Sequence, residues 1–424
     1  MNILKMRLIL SVLLMVTIST ITHSQTKYYN NDSTEWGVGN MADGLKIGKW
    51  EYYSNKGVLK SAGTYEAGQR QDVWRFYNDR GVLMAKAEYQ NDQPIEYVEY
   101  YPDGAFKVKG SYENGLKTGS WVTYYSNGIR QRIDTYASGQ RNGISQAFSP
   151  SRQLVIEAQY KNDTTHGYWK EFNLFGDQVV AGNYRYGQKH GEWEYYYDNG
   201  QPDERLYFKY GLADSLYVSY YPDGQIKITG YFENDLRDGN WRFFYDNGNL
   251  MEEGPYVNGL QSGQWFRYHP SGRVASIGAF VNGKEEGKWG LFHTDGQLKM
   301  EEIWDSGRLW NISDYFTMDG DTLNSGTLKN GEGTKIDYYP GGQVEIVSMF
   351  KAGKPHGTWE YYNEDGKIQE KGMFEAGLRS GYWQFFYDNG NIESEGEFAE
   401  GEKVGLWKYY HRSGRLRDTV DHSL

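Results

Sequence analysis

The chain has 424 residues, 17% of them aromatic, with 39 Tyr, 53 Gly and no Cys. The absence of cysteine excludes disulfides, thiolate metal sites and a cysteine-borne lipid anchor. A formal charge of −11, with no block of Lys or Arg to offset it, makes nucleic acid and anionic membranes poor partners.

The first element is a leader. Lys5 and Arg7 precede an apolar run from Leu8 to Ile18, and polar Thr22, His23, Ser24 and Gln25 follow. This pattern predicts a secretory signal peptide over residues 1–24, cleaved after Ser24. The run is too short for a membrane span of about 20 residues. Cleavage removes two basic residues and no acid, which takes the formal charge from −11 to −13. The expected location is exported: periplasmic, cell-surface or extracellular. An N-terminal segment (25–38), a repeat array (39–417) and a C-terminal tail (418–424) complete the expected organisation.

The array rests on a 24-residue period. Trp50, Trp74, Trp121, Trp169, Trp193, Trp241, Trp265, Trp289, Trp359, Trp383 and Trp407 keep it, apart from a one-residue shortfall before Trp121 and a two-residue shortfall before Trp359. Tyr97, Ser145, Tyr217, Ser313 and Lys335 occupy the empty Trp slots, which makes 16 units. Three residues after the slot the residue is always aromatic, and seven after it stands Gly in all units but one, where Arg152 replaces it. Fifteen after it comes another aromatic, from Tyr65 to Phe398, with Leu328 the exception in that span. A fixed period of this length means stacked supersecondary units.

Each unit predicts one β-hairpin. Gly191 to Gly200 is an aromatic, alternating run that ends in Asp198-Asn199-Gly200, a strand entering a turn. Variants such as Tyr221-Pro222-Asp223-Gly224 fit a type I turn closed by a left-handed Gly. A second strand, for example Leu250 to Val257, leads through Asn258-Gly259 into the next unit. Gly two before the Trp (Gly48, Gly119, Gly167, Gly191, Gly239) predicts a bulge or a close backbone approach. Side chains alternate along a strand, so Trp241, Phe243 and Tyr245 share one face and Phe244 the other. The unfailing aromatic at slot plus three is expected in the interior, and the variable positions at plus two and plus four at least partly exposed. Ordering 24 backbones at about 1–2 kcal/mol each exceeds what two or three buried aromatics return, so stability has to come from neighbouring units. Between Leu309 and Gly342 several repeat rules fail together, and loose packing with a hinge is expected there.

The strand-turn Gly-x-Trp-x-x-Tyr-Tyr-x-Asn-Gly and the following Gly-x-Tyr-x-Asn-Gly resemble MORN repeats. His-Gly-x-Trp at His166-Gly167, His190-Gly191 and His356-Gly357 belongs to the same pattern. The chain is most similar to the bacterial MORN-repeat variant, found in proteins often labelled antitoxin components. The resemblance runs from about Gly39 to Arg417. It implies an all-β fold, an elongated single-layer antiparallel sheet of about 16 tandem β-hairpin repeats of 24 residues. It also implies use in protein binding or scaffolding, with lipid contact sometimes proposed.

No catalytic constellation stands out. Six of the eight histidines hold repeat positions, and equivalent residues in adjacent hairpins lie roughly 9–10 Å apart, too far to share a zinc ion. Asp198, Asp223, Asp246 and Asp388 belong to turns. No phosphate loop, nucleophile elbow, cofactor or metal motif is present. The candidate partner-binding surface is an aromatic strip of Tyr195, Tyr197, Tyr221, Phe243 and Tyr245, although packing of these rings against each other is the plainer role. The expected function is an exported, non-enzymatic scaffold for a protein or peptide. A cell-envelope glycan binder and an antitoxin-like component are the alternatives, and the oligomeric state stays open.

Overall fold

The computed structural model describes residues 26–29 and 35–423, and the leader expected over residues 1–24 lies outside them. Among the described residues the regular elements are all β-strands, and paired strands run antiparallel, as the hairpin period predicts. Two compact units are present. The first (residues 1–165 and 174–176) holds the strands from Thr26–Tyr29 to Leu154–Lys161. In the second (residues 166–173 and 177–424), a ladder of hairpins runs to Arg308–Ile312. The pair Tyr315–Phe316 and Thr322–Leu323 follows, then an eight-stranded sheet from Gly333–Tyr338 to Leu416–Asp421. Strands begin at Thr26, within the expected N-terminal segment, and run to Asp421, within the expected tail.

Both turn types form as expected. Gly224 (φ 89°) donates to the Tyr221 carbonyl at 2.8 Å, which closes a type I turn around Pro222 and Asp223. Asn258 and Gly259 both have positive φ, 49° and 80°, and join Val257 to Leu260 as a two-residue hairpin. The Gly two before the Trp marks a bulge, and Asp72 (φ 55°) takes that place before Trp74. Gly239 has φ 66°, and the ladder steps from Thr229↔Arg242 to Tyr231↔Asp238 across it.

The interior is built on the Trp slot. Trp50, Trp193, Trp241, Trp265, Trp383 and Trp407 are essentially inaccessible. The aromatic at slot plus three is half-buried in nearly every unit, which corrects the expectation that it forms the core. That residue lies on the opposite face, where its hydroxyl finds a carboxylate: Tyr196 to Glu194 at 2.5 Å and Tyr362 to Glu360 at 2.6 Å. Burial and the Glu194 contact push the Tyr196 phenol up to about 12.

Each buried Trp lies flat on a glycine eleven residues earlier in the preceding strand. A Cβ built on Gly63, Gly182, Gly230, Gly254 or Gly372 would fall 2.1–2.4 Å from the Cδ2 of the following Trp. The indole N–H then donates to the carbonyl one residue past that glycine, at 3.1 Å for Trp193 to Asn183 and Trp241 to Tyr231. The aromatic at slot plus fifteen packs edge-on against the same ring. Phe232 meets Trp241 at 5.1 Å and 85°, and Phe398 meets Trp407 at 5.1 Å and 87°. In the second unit these contacts merge into a cluster of Trp241, Phe243, Trp265, Phe280 and Trp289.

The stretch from Leu309 to Gly342 does interrupt the ladder, but it is not loosely packed, so the expected basis for a hinge is absent. Leu309, Tyr315 and Leu328 are each at most 3% exposed. Met300, Tyr315 and Tyr338 form their own cluster. Backbone bonds from Leu309 to Gly353 (3.0 Å), Gly331 to Trp310 (2.8 Å) and Gly353 to Gly331 (2.9 Å) clamp the segment. Leu309, Met300 and Tyr315, together with Leu328 and Tyr338 at their repeat positions, supply the packing that the missing Trp would have given.

Candidate functional site

The five strip residues divide into two structural roles. Tyr195 and Phe243, two after the Trp, extend the Trp packing. Phe243 is 9% exposed and stacks on Trp241 at 6.2 Å, so it offers little surface. The Tyr195 hydroxyl accepts from Lys189 Nζ at 2.8 Å. That ammonium lies over Trp193, 4.2 Å from the ring centroid. Such a cation recurs four residues before the Trp: Arg237 over Trp241 at 4.3 Å, Arg379 over Trp383 at 4.2 Å and Lys403 over Trp407 at 4.0 Å.

Tyr197, Tyr221 and Tyr245, four after the slot, do line up, and each is tied to the next hairpin. Their hydroxyls donate to the carbonyls of Tyr220, Phe244 and Tyr268 at 2.7, 2.7 and 2.8 Å. His269 and His293 take the same part. Each Nε2–H donates to a backbone carbonyl, that of Phe292 at 3.0 Å and that of Phe316 at 2.7 Å. The variation at this position is therefore chemical rather than idle. Tyr or His bridges to the following unit, whereas Asn78, Asn173 and Asn363 turn back and accept from their own turn, at Val82, Asp177 and Lys367.

Burial and nearby Asp203 push the Tyr197 phenol up to about 12, so it stays a donor at neutral pH. Changing Tyr245 to Phe should leave the Tyr268 carbonyl without this donor and cost about 1 kcal/mol. Hydrogen exchange of amides 241–268 should then quicken roughly fivefold. Unchanged exchange would mean the bond is dispensable.

Of the three slots where a polar residue replaces Trp, those of Ser145 and Lys335 hold charged clusters. In the first unit, Ser145 donates to Asp134 at 2.6 Å, and Arg132 bonds both Asp134 (2.9 Å) and Ser145 (3.0 Å). Asp134 occupies the place of the glycine, so neither half of the Gly–Trp pair is present. In the second unit, Lys335 sits between Glu302 (2.9 Å) and Asp337 (3.0 Å). Among the described residues no group of three or more His, Asp or Glu side chains is placed to hold a metal ion.

A shallow groove of about 610 Å³ in the first unit is lined by Lys46, Tyr52, Tyr65, Arg70, Phe76 and Asp92, among others. Lys46 donates to the Tyr52 hydroxyl at 2.8 Å, and Arg70 pairs with Asp92 at 3.1 Å. The glycine eleven before Trp and the cation four before it were not anticipated from the sequence. The glycine's signal is present there, since Gly and Trp are absent together at slots 145 and 217.

Five stretches of the chain, residues 189–210, 214–234, 237–258, 355–376 and 379–400, match the MORN repeat variant. The chain is similar to one in the crystal structure of TcdB2-TccC3-Cdc42, at 10% identity over 91% of this chain and 25% of that one, with a TM-score of 0.15. It is also similar to one in the Photorhabdus luminescens Tc holotoxin pore, at 10% identity over 90% and 27%, with a TM-score of 0.13. The chain spans about a quarter of the length of these chains. No curated protein matches it.

Proposed function

We propose that this chain, which carries repeats of the MORN repeat variant, is an exported, non-enzymatic scaffold that binds a protein or peptide. The observation that carries the reading is the use of the repeat side chains. Trp, Tyr and His at fixed slots are spent on holding each hairpin to the next, as in the Tyr197, Tyr221 and Tyr245 bonds. What varies from unit to unit is the outer face and the hairpin tips, where a partner would be selected. Export rests on the leader pattern of Lys5, Arg7 and Leu8 to Ile18.

Crosslinking in the native cells, followed by reconstitution with the purified partner, tests the reading. The expected result is a saturable complex of fixed stoichiometry, formed by a chain whose mature N-terminus is Gln25. Changing any one His to Ala should alter no turnover. A hydrolase activity lost with a single such change would overturn the non-enzymatic reading. A second reading, glycan binding, draws on the aromatic and basic groove around Lys46 and Arg70. Saturable binding to a polysaccharide array, abolished by Lys46→Ala with Arg70→Ala, would favour it.

A further inference from the structure

The short turns that join one hairpin to the next place their first residue in the left-handed region. Asn fits there and fills the position at Asn114, Asn258 and Asn282, with φ 49–51°. Two consecutive turns instead carry tyrosine, Tyr186 (φ 52°) and Tyr210 (φ 53°). A bulky side chain is disfavoured in this region, and nothing in the packing requires it, because the two rings are 70% and 68% exposed. A strained, exposed aromatic repeated in adjacent units points to a role outside the fold.

The surroundings give that role its chemistry. Arg185 and Lys209 directly precede the two tyrosines and are exposed, and their charges are not taken up by ion pairs among the described residues. The Arg185 guanidinium lies 5.9 Å from the Tyr186 ring centroid, and the His166 ring lies 5.0 Å from it. Leu212, 41% exposed, adds apolar area beside Tyr210. The next tip along reverses the charge, with Glu233 and Asp235 around Asn234. On a chain of formal charge −11, these two tips form a local basic and aromatic edge. Successive tips stand roughly 9–10 Å apart, the reach of a short extended segment.

We infer that the tips 185–188 and 209–212 form a docking edge for an acidic peptide segment of a partner protein. The inference rests on the protein-binding reading above and specifies its surface. Tyrosine gives rigid contact area with a polar end, and Arg and Lys draw in and orient carboxylates.

The test selects random twelve-residue peptides displayed on phage against the full chain, then measures synthetic copies by fluorescence anisotropy. Enriched peptides should be acidic. Tyr186→Asn with Tyr210→Asn should weaken them at least about tenfold. That variant should melt no lower than the parent, because Asn occupies the same turn position elsewhere. Arg185→Gln with Lys209→Gln should weaken binding and flatten its salt dependence. Acidic peptides that bind the tyrosine variant undiminished would remove this edge but leave partner binding standing. Failure to enrich any peptide would sink both. Binding of polygalacturonate, lost in the tyrosine variant when peptides do not bind, would overturn the peptide assignment in favour of an acidic glycan.

Discussion

Adding one methyl group at Gly230 is expected to destabilise the second unit by about 2–3 kcal/mol, an overpacking cost at the upper end of the usual range. The Cβ would lie 2.2 Å from Trp241 Cδ2 and 2.4 Å from Cε2, so the indole would have to leave its seat. With it would go the bond to the Tyr231 carbonyl and the edge contact with Phe232. Trp241→Ala alone should cost about 3–5 kcal/mol, since the ring is fully buried in the cluster with Phe243 and Trp265. The informative variant is the double one. Without the indole, Ala at 230 meets no obstacle, so Gly230→Ala should add little to Trp241→Ala and the cycle should be strongly non-additive. Gly239→Ala is the control. Nothing lies within 4 Å of a Cβ there, but φ is +66°, so it should cost about 1–2 kcal/mol whether or not Trp241 is present. Urea unfolding and local hydrogen exchange would measure both cycles. Additive costs for the Gly230–Trp241 pair would show that the ring does not depend on the glycine.

Why this pairing escaped the sequence, while the hairpins did not, is a matter of register. Turn chemistry is local, and Asn258-Gly259 or Tyr221 to Gly224 announces its geometry within four residues. Alternation fixes only relative parity: Trp241, Phe243 and Tyr245 share a face, but nothing in it says which face is buried. The constancy of slot plus three therefore suggested an interior position that belongs to the Trp. The bulge at Gly239 hides the rest. It offsets the ladder between Thr229↔Arg242 and Tyr231↔Asp238, which sets Gly230 under Trp241. Simple strand counting cannot recover that offset.

The strip of Tyr195 to Tyr245 was legible as a row, but the carbonyl acceptors that engage three of its hydroxyls were not. Tyr186 and Tyr210 were visible as Tyr-Gly where other units have Asn-Gly. Only their exposure and positive φ give that departure meaning.

The second large effect is expected at Lys335, where a charge stands in a Trp slot and has its partners on both sides. Its side chain is 13% exposed, and those of Glu302 and Asp337 are 9% and 18% exposed. The other Glu302 oxygen accepts the Trp304 indole N–H at 2.9 Å. Removing the cation by Lys335→Ala would leave two carboxylates facing each other away from water, at a cost of about 3–5 kcal/mol. Replacing all three groups together, with Met at 335 and Leu at 302 and 337, should come close to neutral, because the desolvation of every charge disappears with them.

Burial pulls the Lys335 ammonium down, but attraction from Asp337 and Glu302 outweighs it and holds the group above the ordinary lysine value of about 10.4. A raised folded value means that the contribution is complete below that pH and is lost only as pH climbs through the folded value, so the parent should show no change here from pH 6 to 9. A charge-removal cycle separates this from a simple packing loss. The deficit of Lys335→Ala comes from carboxylates left facing each other and should shrink when Glu302→Gln and Asp337→Asn are added to it. Comparing unfolding free energies of the parent, Lys335→Ala and that triple variant at pH 7 decides it. A deficit that is equal in both variants would assign the loss to the missing aliphatic stem, and the buried charges would then hold nothing together.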